Sequence, residues 1–145
     1  MRIPTWALYG GLLLSGCAAD PHLTDDSGCA SCHGTIAARH AQSGHAKATE
    51  SAVFQALAAR ATPSTRAFCN RCHAPSGGKG IGCLTCHRAI GNQGTVNARF
   101  IEGEPDEMLG PYDVSSPAHG ARKHTFLASS ELCGTCHQVD GGGAF

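Results

Sequence analysis

Only one stretch of this chain carries a sustained helical period of apolar positions. From Ser43 to Ala61, the residues Val53, Phe54, Leu57 and Ala58 recur at spacings that line one helix face, and Pro63 ends the pattern. Ser43 is placed to cap a helix beginning at Gly44, which would put His45 in its first turn. A second, short helix is expected over Phe126 to Leu132. Between them, residues 91–118 form a Gly-, Pro- and acid-rich excursion with little periodicity, and Gly141–Gly143 suggest a flexible tail, 141–145. The expected fold class is mostly α with much irregular loop.

Composition sharpens that picture. The 145 residues include nine Cys, nine His and nineteen Gly, with only 6% aromatic residues. One domain is the natural expectation at this length. So few large apolar side chains leave little from which to build a core, and such chains usually rely on disulfides, metals or another covalent device.

The first residues read as an export signal. Arg2 precedes the apolar run Trp6–Leu14, which is too short for a transmembrane helix and has the length of a signal-peptide core. The run ends in Leu14-Ser15-Gly16-Cys17, small residues before a cysteine, as in the lipobox of a bacterial lipoprotein. Residues 1–16 are then a signal peptide, and Cys17 is acylated to hold residues 17–27 as a tether on a membrane surface. The expected location is outside the cytoplasm, lipid-anchored in a bacterial envelope on the periplasm-facing outer membrane, with the cell surface as the alternative. A plain secretory signal with an incidental cysteine is the simpler alternative. The formal net charge is zero, and no basic stripe points to nucleic acid.

Apart from Cys17, every cysteine belongs to one repeated pattern. The copies are Cys29-Ala-Ser-Cys32-His33, Cys69-Asn-Arg-Cys72-His73, Cys83-Leu-Thr-Cys86-His87 and Cys133-Gly-Thr-Cys136-His137. C-x-x-C-H is the attachment sequence of a c-type haem. Two cysteines three apart lie on one side of a helical turn, where both thiols reach the two vinyl groups of one porphyrin edge. The histidine that follows presents an imidazole nitrogen to the iron. Zinc sites and local disulfides also use C-x-x-C pairs, but neither requires histidine directly after the second cysteine. The cofactor set implied is four covalently bound haems, with thioethers at Cys29, Cys32, Cys69, Cys72, Cys83, Cys86, Cys133 and Cys136. His33, His73, His87 and His137 are the proximal iron ligands. The haems would supply the missing core, and their eight propionates would make the loaded protein acidic. Only nine residues, Ala74–Gly82, separate the second and third motifs, so those two haems are expected to be near neighbours.

Five histidines remain, His22, His40, His45, His119 and His124, enough for every iron to be bis-histidine. His40 and His45 are five apart, as are His119 and His124, so on a helix neither pair can face one haem. His22 lies in the tether, and Met108 reads as a loop residue rather than a sixth ligand. Bis-His ligation lowers the potential and closes the iron to substrates, which favours electron transfer over catalysis.

Three segments resemble the multihaem cytochrome c family typified by the tetrahaem electron acceptor of hydroxylamine oxidoreductase. They are Cys29–His33 followed by Ser43-Gly44-His45-Ala46, then Cys72-His73-Ala74-Pro75 leading to Gly80-Ile81-Gly82-Cys83, then Ser116-Pro117-Ala118-His119-Gly120 ahead of Ser130–His137. Together they cover most of residues 28–140, the expected tetrahaem domain. The resemblance implies that His45 and His119 are distal ligands, with His124, His22 and His40 as further candidates. It departs at His40, where the family has tryptophan.

The functional expectation is an electron relay between redox proteins, such as other cytochromes or membrane oxidoreductases, with no catalytic residue. Two alternatives stand beside it. One is a redox enzyme or enzyme subunit with one open, five-coordinate haem, although all four motifs end in His. The other is a subunit of a haem filament or outer-membrane conduit, to which His22 would donate a ligand between subunits.

Overall fold

A computed structural model describes residues 26–138. The signal peptide, Cys17 and His22 lie outside the described residues, as does the tail. Of the described residues 46% are helical and 13% lie in strands, the rest being turns and loops.

Six helices run in chain order: α1 (Cys29–Cys32), α2 (Gly34–Ala41), α3 (Ala52–Arg60), α4 (Pro63–His73), α5 (Cys83–His87) and α6 (Ser130–His137). Four short strands lie between α5 and α6. β1 (Ala89–Asn92) pairs antiparallel with β2 (Phe100–Glu102), and β3 (Glu107–Gly110) pairs parallel with β4 (Gly120–Lys123). Among the described residues, no helix is long and apolar enough to cross a membrane.

The sequence placed one helix over Ser43–Ala61, but residues 42–51 are turns and bends, and α3 begins only at Ala52. Ser43 caps a single turn, accepting from the Ala46 N–H at 3.2 Å. The following backbone then bonds outward instead of along a helix: Thr49 N–H donates to Lys79 O and Ile81 N–H to His45 O. Ser51 provides the true cap of α3, its Oγ accepting from Phe54 N–H at 3.1 Å. Thr62 caps α4 likewise, with Pro63 at the first helical position, where its missing N–H leaves no bond unmade.

The excursion at 91–118 also holds more order than its composition suggested. Residues 89–92 and 100–102 make a hairpin, and 107–110 joins 120–123 across residues 111–119. None of these strands exceeds four residues, too short for a period of two to be visible. The expected helix at Phe126–Leu132 resolves into a 3₁₀ turn, Thr125–Ala128, and then α6, which contains the fourth motif.

Packing is concentrated in the C-terminal half. Among the described residues the buried set is Ala74, Leu84, Ala89, Leu109, Phe126 and Thr135. β1 and β3, with the 3₁₀ turn, enclose this small centre against α5 and α6. By contrast α3 and α4 bury nothing, and Val53 and Leu57 are 71% and 66% exposed. The two form an antiparallel hairpin, tied by Arg66 Nη2 to Ala58 O at 2.7 Å near the tip and by Phe54 against the His73 ring at the other end.

Thr135, with no exposed surface, joins α6 to β1. Its hydroxyl donates to Glu131 O at 2.8 Å and accepts from Asn92 Nδ2 at 2.9 Å. Thr135→Val keeps the shape and leaves the Asn92 donor unpaired. Denaturant unfolding should show a loss of about 1–3 kcal/mol.

Candidate functional site

Each C-x-x-C-H copy closes a short helix or a helical turn. His73, His87 and His137 are the last residues of α4, α5 and α6, and His33 follows α1. Both thiols of a motif therefore share one helical turn with an imidazole at its end. Seven of the eight motif cysteines are free thiols, and Cys32 is disulfide-bonded.

Thiols of different motifs meet. Cys29, Cys83 and the Asp26 carboxylate offer ligand atoms within 4.8 Å of one another. Cys136 lies near Cys72 and Cys86, and Cys86 near Cys133. Burial first, then Cys83 and Asp26, push the Cys29 thiol up to about 11. Burial and then Cys72 push Cys136 up to about 12. Burial also raises Cys83 and Cys86, with Asp26 adding to the first and Cys133 to the second. Reactive thiolates sit in electropositive surroundings, and these thiols have the reverse. They suit neither a nucleophile nor a redox centre.

These contacts define a spatial order that the chain order hides. The first motif lies against the third at Cys29 and Cys83, and the fourth lies near both the third and the second. Exposure does not follow that order: Leu84 and Thr135 are buried, but Cys133, His87 and His137 are exposed, while Cys69, Cys72 and His73 of the second motif are half-buried.

The histidines sort themselves by partner. His33 and His119 rings face each other with centroids 6.4 Å apart, and His45 and His137 with centroids 6.0 Å apart. Two imidazoles on opposite sides of one metal, with metal–nitrogen bonds of about 2 Å, have centroids about 6 Å apart. His73 Nδ1 donates to Ala48 O at 3.0 Å and His87 Nδ1 to Leu109 O at 2.6 Å, while His119 Nδ1 donates to Gly120 O at 2.8 Å. A carbonyl can only accept, so each ring carries its proton on Nδ1 and keeps the Nε2 lone pair for a metal.

His124 is the opposite case. Its Nδ1 accepts from Phe126 N–H at 3.3 Å, capping the 3₁₀ turn, so in the neutral ring the proton lies on Nε2. His40 lines an open cleft of about 520 Å³ with Asp26, Ile81, Leu84, Arg88 and Glu102, and no motif cysteine or motif histidine lines that cleft. His73 faces Phe54, centroids 4.6 Å apart, rather than another imidazole.

This donor set is of the kind a covalent haem requires: paired free thiols on one turn at the second, third and fourth motifs, with Cys32 disulfide-bonded at the first, an imidazole oriented by its Nδ1 bond at His73 and His87, and two imidazole pairs with centroids 6.0 and 6.4 Å apart. Sequence reasoning missed Asp26, which lies 58 residues from the helix that it caps. Its Oδ1 accepts from Leu84 N–H at 2.9 Å, at the start of α5. The contact is close enough that a Cβ on Gly82 would collide with the carboxylate. No known protein family, curated protein or solved structure matches the chain.

Asp26→Ala should destabilise the fold by about 1 kcal/mol in denaturant unfolding, while Asp26→Asn, a comparable cap, should lose much less.

Proposed function

We propose that the chain is a tetrahaem c-type cytochrome of the multihaem kind it resembles in sequence, serving as an electron relay. The observation that carries this reading is the pairing of His33 with His119 and of His45 with His137 at axial spacing. Four complete attachment motifs stand beside it. A bound haem supplies an iron that alternates between ferric and ferrous and so passes one electron at a time.

The chain's own residues divide the remaining work. Eight cysteines hold the four groups, and attachment at the first motif requires Cys32 as a reduced thiol. His33, His73, His87 and His137 would ligate the iron held at their own motifs, and His119 and His45 would supply further imidazoles to the first and fourth. Ala48 and Leu109 carbonyls hold the His73 and His87 rings in place and raise their basicity. Cys29 beside Cys83, and Cys136 near Cys72 and Cys86, support a route first–third–fourth–second. Acylation of Cys17 would keep the first site beside a membrane, within a bacterial envelope.

One observation favours a second reading, a redox enzyme with an open iron. Among the described residues, neither His73 nor His87 faces another imidazole, and Phe54 occupies the neighbourhood of His73. An apolar ring there would leave room for a small ligand.

Purified protein should contain four covalently bound haems per chain by absorbance and iron analysis, and no zinc. His45→Ala and His119→Ala should each convert one ferric haem from low to high spin by EPR. His124→Ala should convert none, because that ring serves as a cap. Carbon monoxide binding by reduced wild-type protein would favour the enzyme reading, and an unchanged spectrum the relay. Chain produced without haem attachment should lack a cooperative unfolding transition; a compact apo-protein with native helicity would contradict the haem as core.

A further inference from the structure

The cleft of about 520 Å³ beside His40 is lined by none of the attachment residues. Its size is that of a small-molecule site. Close backbone approaches build its wall. Ile81 N–H donates to His45 O at 2.9 Å and Thr49 N–H to Lys79 O at 3.2 Å, and a Cβ on Gly80 would collide with the His45 and Ala46 carbonyls. Gly82 is pressed against Asp26 in the same way. The lining is mixed in chemistry: Pro75, Ile81 and Leu84 are apolar, whereas Lys79 and Arg88 are cationic.

The cleft lies behind α5 as seen from that helix's thiols. At about 100° per residue, Cys83, Cys86 and His87 share one side of the helical turn, and Leu84, Thr85 and Arg88 the other. Only the second group lines the cleft. Its charged groups are unequally engaged. Asp26 spends Oδ1 on the Leu84 N–H. Glu102 stands 3.5 Å from Arg88 Nη2, with its own side chain 69% exposed. Arg88 Nε is buried and has no hydrogen-bond partner among the described residues. A buried donor left unpaired is costly, and a guanidinium is best satisfied by a carboxylate that takes two of its donors at once.

We propose that this cleft is a carboxylate-binding site, in which Arg88 and Lys79 receive the carboxylate and Pro75, Ile81 and Leu84 the apolar body that bears it. Lys79 is lightly held, its side chain 86% exposed and its ion pair with Glu50 4.0 Å long. Glu102 is the competing anion, and a carboxylate at hydrogen-bond distance would displace its looser pair with Arg88. The carboxylate has two sources. One is a free organic acid. The other is a propionate of a haem on this chain, and the opposed faces of α5 then assign it to a haem attached elsewhere than Cys83 and Cys86. Only this second source rests on the relay reading.

Calorimetric titration of the purified holoprotein with benzoate tests the site, together with its reduced-minus-oxidised infrared difference spectrum. Saturable binding at millimolar benzoate, weakened on the order of tenfold in Arg88→Gln and strengthened in Glu102→Gln, assigns the cleft to a free acid. Absence of binding, with the carboxylate band of one propionate shifted in Arg88→Gln and partly restored in Arg88→Lys, assigns it to the haem. Haem content and far-UV circular dichroism should match wild type in each variant. Should Arg88→Gln not fold, Lys79→Gln on the open rim gives the same two readouts, with benzoate binding about threefold weaker. Benzoate binding of equal strength in wild type and the glutamine variants of Arg88 and Lys79, or neither binding nor a shifted band, would overturn the site. Purified protein without haem would instead fail the relay, and the benzoate titration would still decide the cleft.

Discussion

Half-exposed thiols and imidazoles lie where the helical turns of this protein approach one another, beside a buried centre far smaller than most domains of its size possess. Every other feature of the fold follows from that constraint. Four helical turns must be brought together end to end, and so little apolar surface is available that the buried set reduces to six residues. Directional polar contacts position the turns instead. Asp26 holds α5, the Ala48 and Leu109 carbonyls hold the rings that end α4 and α5, and Thr135 ties α6 to β1. Each such bond contributes only about 1 kcal/mol net, so together they orient the turns without accounting for a stable interior. Interiors are close-packed, and the exposed faces of α3, with Val53 and Leu57 open, want a large apolar partner. In the proposed reading the haems are that partner, which makes cofactor and core one object.

The same constraint gives histidine several jobs, and the hydrogen bond at Nδ1 decides among them. A ring that donates from Nδ1 to a carbonyl is turned and charged for metal binding through Nε2, as at His73, His87 and His119. A ring whose Nδ1 accepts from a backbone N–H is a helix cap, as at His124. His119 and His124 are only five residues apart and flank the same strand, β4, yet they fall into opposite classes. Histidine count alone therefore overstates the supply of ligands. His40 adds to this, since its cleft is lined by no motif cysteine or histidine.

Much of the local structure was legible in the sequence, because it is written in short-range chemistry. Each C-x-x-C-H copy forms the helical turn its spacing demands, and Pro63 separates α3 from α4 as expected. What was not legible depends on contacts distant in sequence. Ser43 is a sound cap, and nothing local reveals that Thr49 and Ile81 will exchange helix bonds for bonds across residues 45–81. The strands at 89–123 are too short to show a period. Asp26 looks like an ordinary tether residue until Leu84 is found above it. The order of the motifs was hidden in the same way. Nine residues separate the second from the third, a separation that limits their distance but says nothing of the fourth, whose Cys136 lies near both Cys72 and Cys86.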